Sequence, residues 1–308
     1  MLPVVETDEE WDAVVPDETV MRPGVEDLCA RLGLAGAPLT RFADGSQPVY
    51  AVGDEHVLKL FPAAAAGDGV AEGRVLSFLE GRLPVPTPRV RDCGAYENGW
   101  RYVLMSRLRG ENLARSWERV PRADRERLVA EVGESLAVLH SLPADPLRDV
   151  LGPGDWGAFV DRQRAGAVPQ QRACGLAEVW LEQIPDFLDS VALPRTPRKS
   201  LLHTEVMQQH FLVDPDGWRL TGLFDFEPAM IGDRAYDFVG VGLFVTRGDP
   251  ELLARLAGAY GHSFEPSVLL AYTLLHVYSS LPWYLRELGE PAERRLPALA
   301  EAWFGLTP

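Results

Sequence analysis

Cysteine is scarce in this 308-residue chain. Cys29, Cys93 and Cys174 are odd in number and widely spaced, which excludes a disulfide framework or a C-x-x-C metal site and leaves them as reduced thiols. No stretch approaches the ~20 apolar residues of a membrane helix. The N-terminal MLPVVETDEEWDAVVPDE is acidic and lacks a basic segment followed by an apolar core. A cytoplasmic protein with no membrane partner is expected. Basic residues are also in deficit: 30 Lys and Arg against 45 Asp and Glu give a formal net charge of −15. That balance argues against nucleic acid as a partner, since binding it needs clustered cations to neutralise phosphates. An acidic surface suits a cationic small molecule, or serves solubility alone. There is no internal repeat, low-complexity tract or charge block, and the turn at residues 43–48 lacks the G-x-G-x-x-G of a glycine-rich phosphate loop.

What is present is enough apolar material, 46% of residues, for a large core shared by two lobes. The stretch LTRFADGSQPVYAVGDEHVLKLF, residues 39–61, alternates β-favouring runs with turns at Asp44-Gly45-Ser46 and Gly53-Asp54, which predicts three antiparallel strands. Val75, Leu76, Phe78 and Leu79 fall at helical spacing, and PVPTP halts that helix. A strand pair then leads through Tyr102 to Met105, and the polar, Gly-containing 107–112 is the expected hinge. Beyond it the pattern is helical. Leu128, Val132, Leu136 and Leu139 form one stripe within residues 125–142, and further helices are predicted over 156–164, 173–189, 236–246, 251–260, 267–288 and 293–304. A hairpin over 211–224, turning at Pro215-Asp216-Gly217, interrupts them.

Residues 199–238, KSLLHTEVMQQHFLVDPDGWRLTGLFDFEPAMIGDRAYDF, carry the chemistry. A phosphotransferase of small molecules needs a His-x-Asp turn, an Asn five residues after that Asp, and a second Asp on the following hairpin to hold magnesium. Those places hold His203, Glu205, His210 and Asp225. Glu205 can accept a hydroxyl proton as an Asp does, but its extra methylene moves the oxygens by more than about an ångström, a displacement that can cost on the order of 10²-fold in rate. His210 can bind a divalent ion through one ring nitrogen, although imidazole suits manganese, iron or zinc better than magnesium. Lys59 in VLKLF, with Glu72 thirteen residues on, is a pair that would hold an ammonium against nucleotide phosphates. Ser46 in the first turn can face phosphate, or the turn is an ordinary hairpin. Met105 and Arg107, at the strand end, are candidates for the nucleotide base. Glu227 assists or faces solvent, Asp233 is placed to cap a helix, and Asp237 to hydrogen-bond the loop backbone. Two other readings stay open: an altered loop in a binding protein that does not turn over, and a two-histidine, one-carboxylate metal centre made of His203, Glu205 and His210. Against the latter, His203 is expected to point away from His210.

VLKLF, EGRVLSFL, LPVPTPRV, YVLMSRLRGENL, ESLAVLHSL and TGLFDFEPAMIGDRAYDF, in this order, resemble the aminoglycoside phosphotransferase family, most of all its hygromycin phosphotransferase branch. The resemblance covers nearly the whole chain. It implies an α+β, bilobal, protein-kinase-like fold with a small β-rich lobe over residues 1–106 and a larger, mainly helical lobe over residues 107–308. It also implies transfer of the γ-phosphoryl of ATP or GTP, with Mg²⁺ or Mn²⁺, to a hydroxyl of an aminoglycoside, nucleoside or similar small molecule, by a monomer. On it, Lys59 contacts phosphate, Glu72 holds Lys59, Glu205 is the base, and Asp225 and His210 ligate the metal. Thr204 stands where the family commonly has Gly. Acceptor contacts are expected from Glu227, from Trp283, Tyr284, Glu287, Tyr278 and His276, and from Trp156, Phe159 and Arg162, with core packing the alternative for the aromatics.

Overall fold

Leu58 and Leu60 alternate with Lys59 and Phe61, and because successive side chains of a strand point to opposite faces, this one strand supplies both a core face and a polar site. The computed structural model describes residues 1–306 and separates into two compact units, Met1–Gly81 with Pro86–Arg109 and Gly222–Pro228, and Arg82–Val85 with Gly110–Thr221 and Ala229–Pro308. The expected division has one cut, after residue 106; the compact units interleave instead. The chain returns to the first unit beyond Thr221, where the Leu223 N–H donates to the Pro86 carbonyl at 2.9 Å.

The first unit is built on an antiparallel sheet in the order β1 (Leu39–Arg41), β2 (Val49–Val52), β3 (His56–Phe61), β5 (Arg101–Ser106), β4 (Val90–Ala95). Lys59 lies opposite Val103 of β5. One face of the sheet is covered by two helices that the sequence reading did not anticipate, α1 (Asp8–Val14) and α2 (Glu18–Arg31), capped by Thr7 and Asp17. Their Val15, Met21, Val25 and Leu28 join Tyr50, Leu58, Leu60, Trp100 and Leu104 in a buried cluster. On the other face lies α3 (Ala66–Leu79), which carries Glu72. A Cβ at Gly69 would sit 2.7 Å from the Phe61 ring, so the close approach of α3 to the sheet requires glycine there.

The second unit is mainly helical. In chain order it holds β6 (Glu111–Asn112), α4 (Leu113–Ser116), α5 (Arg122–Ser141), α6 (Trp156–Ala173), α7 (Glu178–Leu181), α8 (Ile184–Ser190) and β7 (Ser200–Leu202). Then follow β8 (Phe211–Val213), β9 (Leu220–Leu223), through which the chain leaves the unit, β10 (Met230–Gly232), α9 (Asp237–Gly240), α10 (Pro250–Tyr260), α11 (Pro266–Leu275), α12 (Leu281–Leu288) and α13 (Leu296–Phe304). The hairpin predicted over 211–224 is β8 and β9, closed by the Asp214 N–H on the Arg219 carbonyl at 3.0 Å.

Two predicted helices are broken. The single helix expected over 173–189 is two short ones, because α6 runs on to Ala173 and the chain turns at Gly175, where φ is 84°. The helix expected over 267–288 stops at Leu275 and restarts at Leu281, placing His276 and Tyr278 on a turn. Pro282 in the first turn of α12 lacks the N–H that a continuous helix would need, which favours the restart.

Candidate functional site

The polar centre of the first unit is a buried ammonium among carboxylates. The Lys59 Nζ lies 2.9 Å from Glu72 Oε2 and 2.8 Å from Glu227 Oε2, and it also pairs with Asp225 Oδ1. Lys59 and Glu72 are 5% and 1% exposed, so neither charge is shared with bulk water. Burial opposes the Lys59 charge, but Glu72, Asp225 and Glu227 outweigh it and hold its pKa well above the ordinary value. Burial likewise pushes the Glu72 carboxyl up to about 7, with Asp225 and Glu227 adding to the effect and Lys59 opposing it. Glu227 is raised first by burial, against the pull of Lys59. Asp225 has φ 73°, a left-handed conformation that Asp tolerates better than most residues, just beyond the end of β9.

Three carboxylates around one ammonium leave an excess of negative charge. The ligand oxygens of Glu72, Asp225 and Glu227 lie within 4.8 Å of one another. This is an all-oxygen donor set with part of Asp225 and Glu227 facing outward, which fits a hard divalent cation such as Mg²⁺. Glu227, expected among the acceptor contacts, therefore belongs to the ammonium cluster. Ser46, on the exposed turn between β1 and β2, donates its hydroxyl to Glu227 Oε1 at 3.3 Å.

Met105 does not present a free edge. It is paired inside the sheet with Val57 of β3 and Val90 of β4. The next N–H groups are also used, Ser106 on the Arg89 carbonyl at 2.9 Å and Arg107 on the Glu55 carbonyl at 2.7 Å. The Arg107 guanidinium reaches the Gly53 carbonyl at 3.4 Å.

The loop from His203 to His210 belongs to the second unit and is fixed from beneath. Asp237, at the start of α9, accepts the His203 N–H at 2.9 Å and the Thr204 N–H at 2.7 Å, as expected of it, and His140 Nε2 donates to its Oδ2 at 2.9 Å. Burial opposes its ionisation, but the His140 hydrogen bond and these N–H donors hold its pKa below the ordinary value. Asp233 caps the turn before α9 through the Ala235 N–H at 3.1 Å. Thr204 has φ 74°, the left-handed region that β-branched side chains avoid, which is the physical reason a Gly suits this position. The buried His276 Nε2 donates to the Thr204 carbonyl at 3.2 Å and so helps to hold that conformation. A Cβ at Gly240 would lie 2.6 Å from the Val206 carbonyl oxygen, so the loop rests directly on the end of α9.

The His210 Nδ1 lies 2.8 Å from the Glu205 carbonyl, which can only accept, so Nδ1 carries a proton and donates. The His203 and His210 rings stack at 5.6 Å and 25°, contrary to the expectation that His203 points away. Among the described residues, the possible ligand atoms of His203 do not gather with those of Glu205 and His210, which removes the support for a two-histidine, one-carboxylate centre.

Beside Glu205 the second unit contains a cavity of about 250 Å³, lined by Glu205, His276, Tyr278, Trp283, Tyr284, Phe244 and neighbouring residues. The structure thus brings together four of the sequence-expected acceptor contacts. It excludes others. Trp156 is buried with its ring over Gly232, where a Cβ would meet it at 2.0 Å, and packs on Phe159, Tyr236 and Tyr272 as core. Phe159 is buried in the same cluster, while Arg162 and Glu287 are exposed and away from the cavity lining. Phe244, which sequence reasoning missed, enters the lining from a π-helical turn, Val241–Val245, that continues α9.

Residues 38–272 match the profile of the phosphotransferase enzyme family. The chain belongs to that family. Its fold is the kinase-like one of the aminoglycoside phosphotransferases. Similar solved structures include the GDP and kanamycin complex of APH(2")-IIia, 18% identical with a TM-score of 0.67, covering 80% of this chain and 85% of that one. Another is the apoenzyme of macrolide 2'-phosphotransferase MphH from Brachybacterium faecium, 21% identical with a TM-score of 0.62, covering 92% and 99%. A curated relative, lysine-specific demethylase JMJ21 of Arabidopsis thaliana, is 26% identical over 204 residues, 53% of this chain. Those residues are 21% of that protein, so this phosphotransferase-family chain spans about a fifth of the length of the relative it matches.

Proposed function

We propose that this protein transfers the γ-phosphoryl group of ATP or GTP to a hydroxyl of a small molecule. The observation that carries this reading is the Lys59 cluster. A buried ammonium paired with Glu72 alone would be a self-sufficient structural pair, whereas the added Asp225 and Glu227 create a negative surplus that costs stability unless a cation offsets it. Asp225 and Glu227 would hold Mg²⁺ or Mn²⁺, which when bound neutralises charge on the phosphates. Lys59, oriented by Glu72, gives its ammonium to the phosphate oxygens. His210, by its place in the sequence, is the candidate for a further divalent ligand, and an imidazole suits Mn²⁺ better than Mg²⁺.

Glu205 is the proposed base. The acceptor oxygen forms a bond to the γ-phosphorus as the bond from that phosphorus to the bridging oxygen breaks, the electron pair leaves with the nucleoside diphosphate, and the hydroxyl proton passes to the Glu205 carboxylate. The Asp237 carboxylate fixes the loop that carries Glu205 through two N–H donors, so the base is held by a rigid support. Reaction of the purified protein with radiolabelled ATP or GTP, Mg²⁺ or Mn²⁺ and a panel of hydroxylated acceptors tests this. Acceptor-dependent product is expected, falling by about 10²-fold or more in Glu205→Gln while nucleotide affinity is retained. Absence of both transfer and metal-dependent nucleotide binding contradicts the reading. Nucleotide binding without transfer, in the wild type and in Glu205→Asp alike, identifies a binding protein instead.

A further inference from the structure

The cavity beside Glu205 has a chemistry of its own. Among its lining residues Glu205 is the single carboxylate, and there is no lysine or arginine. Burial holds the His276 ring down to about 4, so it is neutral near pH 7. The rest of the wall is dominated by Phe244, Tyr278, Trp283, Tyr284, Met207 and Val239. The rings are arranged as a corner: Phe244 and Trp283 have centroids 5.7 Å apart at 38°, and Phe244 and Tyr284 5.8 Å apart at 77°. Tyr284 is a fixed part of it, since its hydroxyl donates to the Tyr278 carbonyl at 3.2 Å and pins the turn between α11 and α12.

Tyr278 and Trp283 are 57% and 38% exposed, and with Val277 they supply three of the large apolar side chains that face solvent. Tyr278 and Trp283 are both exposed and part of the cavity lining, so ring surface there is available to a ligand. Glu205 lies close enough to Tyr284 to help raise its phenol, after burial, which places the carboxylate and the aromatic corner in one cavity.

We infer that the acceptor is an uncharged hydroxylated molecule with a flat aromatic or otherwise unsaturated ring face, which stacks on Trp283 and Tyr278 and presents a hydroxyl to Glu205, rather than a polycation. This rests on the phosphotransfer reading above for the role of Glu205, but its binding part stands separately. A polycation entering this cavity would set several ammonium groups against one carboxylate, and that carboxylate is needed to take a proton. Desolvating the remaining charges against apolar walls is unfavourable. The cavity volume of about 250 Å³ suits a moiety of one or two rings, smaller than the usual enclosed pocket for a drug-sized ligand.

Isothermal titration calorimetry of the full chain, without nucleotide, separates the possibilities. The probes are a panel of neutral aromatic glycosides and polyphenols, including 4-methylumbelliferyl glucoside, and kanamycin as the polycation. At least one aromatic probe is expected to bind with an affinity insensitive to salt, weakened about tenfold by Trp283→Ala and retained in Trp283→Phe, which keeps a ring. Kanamycin binding that weakens with salt and ignores Trp283→Ala overturns the inference, as does failure of every aromatic probe. Aromatic binding without transfer from any nucleotide leaves this inference standing and counts against the phosphotransfer reading alone.

Discussion

Thr204 and Lys59 each occupy a position whose cost is visible locally. Thr204 holds a left-handed backbone conformation at φ 74° that costs of order 1–3 kcal/mol for a β-branched residue, and it is kept there by Asp237 on its N–H and His276 on its carbonyl. Replacing a buried Thr by Gly ordinarily destabilises through lost packing and greater freedom of the unfolded chain. Here relief of the backbone offsets that loss, so Thr204→Gly is expected to leave the unfolding free energy from urea titration unchanged or raised; a fall of more than about 1 kcal/mol contradicts the strain argument. Lys59 is different in kind. Its ammonium is stabilised by more carboxylates than it can neutralise, and the surplus favours a bound cation rather than a dry, self-contained pair.

At the scale of elements, the loop from His203 to His210 is set by what lies under it. The Val206 backbone rests on Gly240 at the end of α9, and a methyl group there must displace the loop or the helix. Gly240→Ala is expected to lower turnover by about 10²-fold with little change in nucleotide affinity, since a shift near 1 Å in a reacting group costs about that much. Equal losses in both would place the defect elsewhere. Much of this was legible in the sequence. The pairing of Lys59 with Glu72 and the hydrogen bonds of Asp237 to the loop backbone follow from residue type and spacing, and the three strands over 39–61 from alternation that agrees with the turn residues. The helices α1 and α2 were missed although Met21, Val25 and Leu28 have helical spacing, because Pro23 and an acidic flank obscure the stripe. The break between α11 and α12 was hidden by an uninterrupted apolar run, which reads the same whether or not the backbone turns. Nothing local to Trp156 reveals that its ring lies over Gly232, some 76 residues away along the chain, so its core role is not legible from sequence. The hygromycin branch rests on sequence motifs alone.

Over the whole molecule, the net charge of −15 gives no guide to the acceptor, because the cavity beside Glu205 contains one carboxylate. One contribution to acid sensitivity is expected from a single buried side chain. His276 is buried and neutral, with its pKa held down to about 4 from the ordinary 6.5, first by burial. Because protons bind the unfolded chain more readily, this contribution to stability is full above pH 6.5 and is lost as pH falls from about 6.5 to about 4. Urea unfolding between pH 7 and pH 4.5 should therefore show a shallower acid-side loss for His276→Gln than for the wild type, and identical slopes would contradict it. Among the described residues no helix is long and apolar enough to cross a membrane.

The claim beneath the functional reading is that Lys59, Glu72, Asp225 and Glu227 grip a nucleotide together with a divalent ion. Calorimetric titration of ATP and GTP into the full chain, with Mg²⁺, with Mn²⁺ and with chelator, measures this directly, alongside Asp225→Ala. The account predicts binding that needs the metal and is lost in Asp225→Ala while the thermal unfolding of that variant stays cooperative. Binding of equal strength with chelator, or none under any condition, would contradict it.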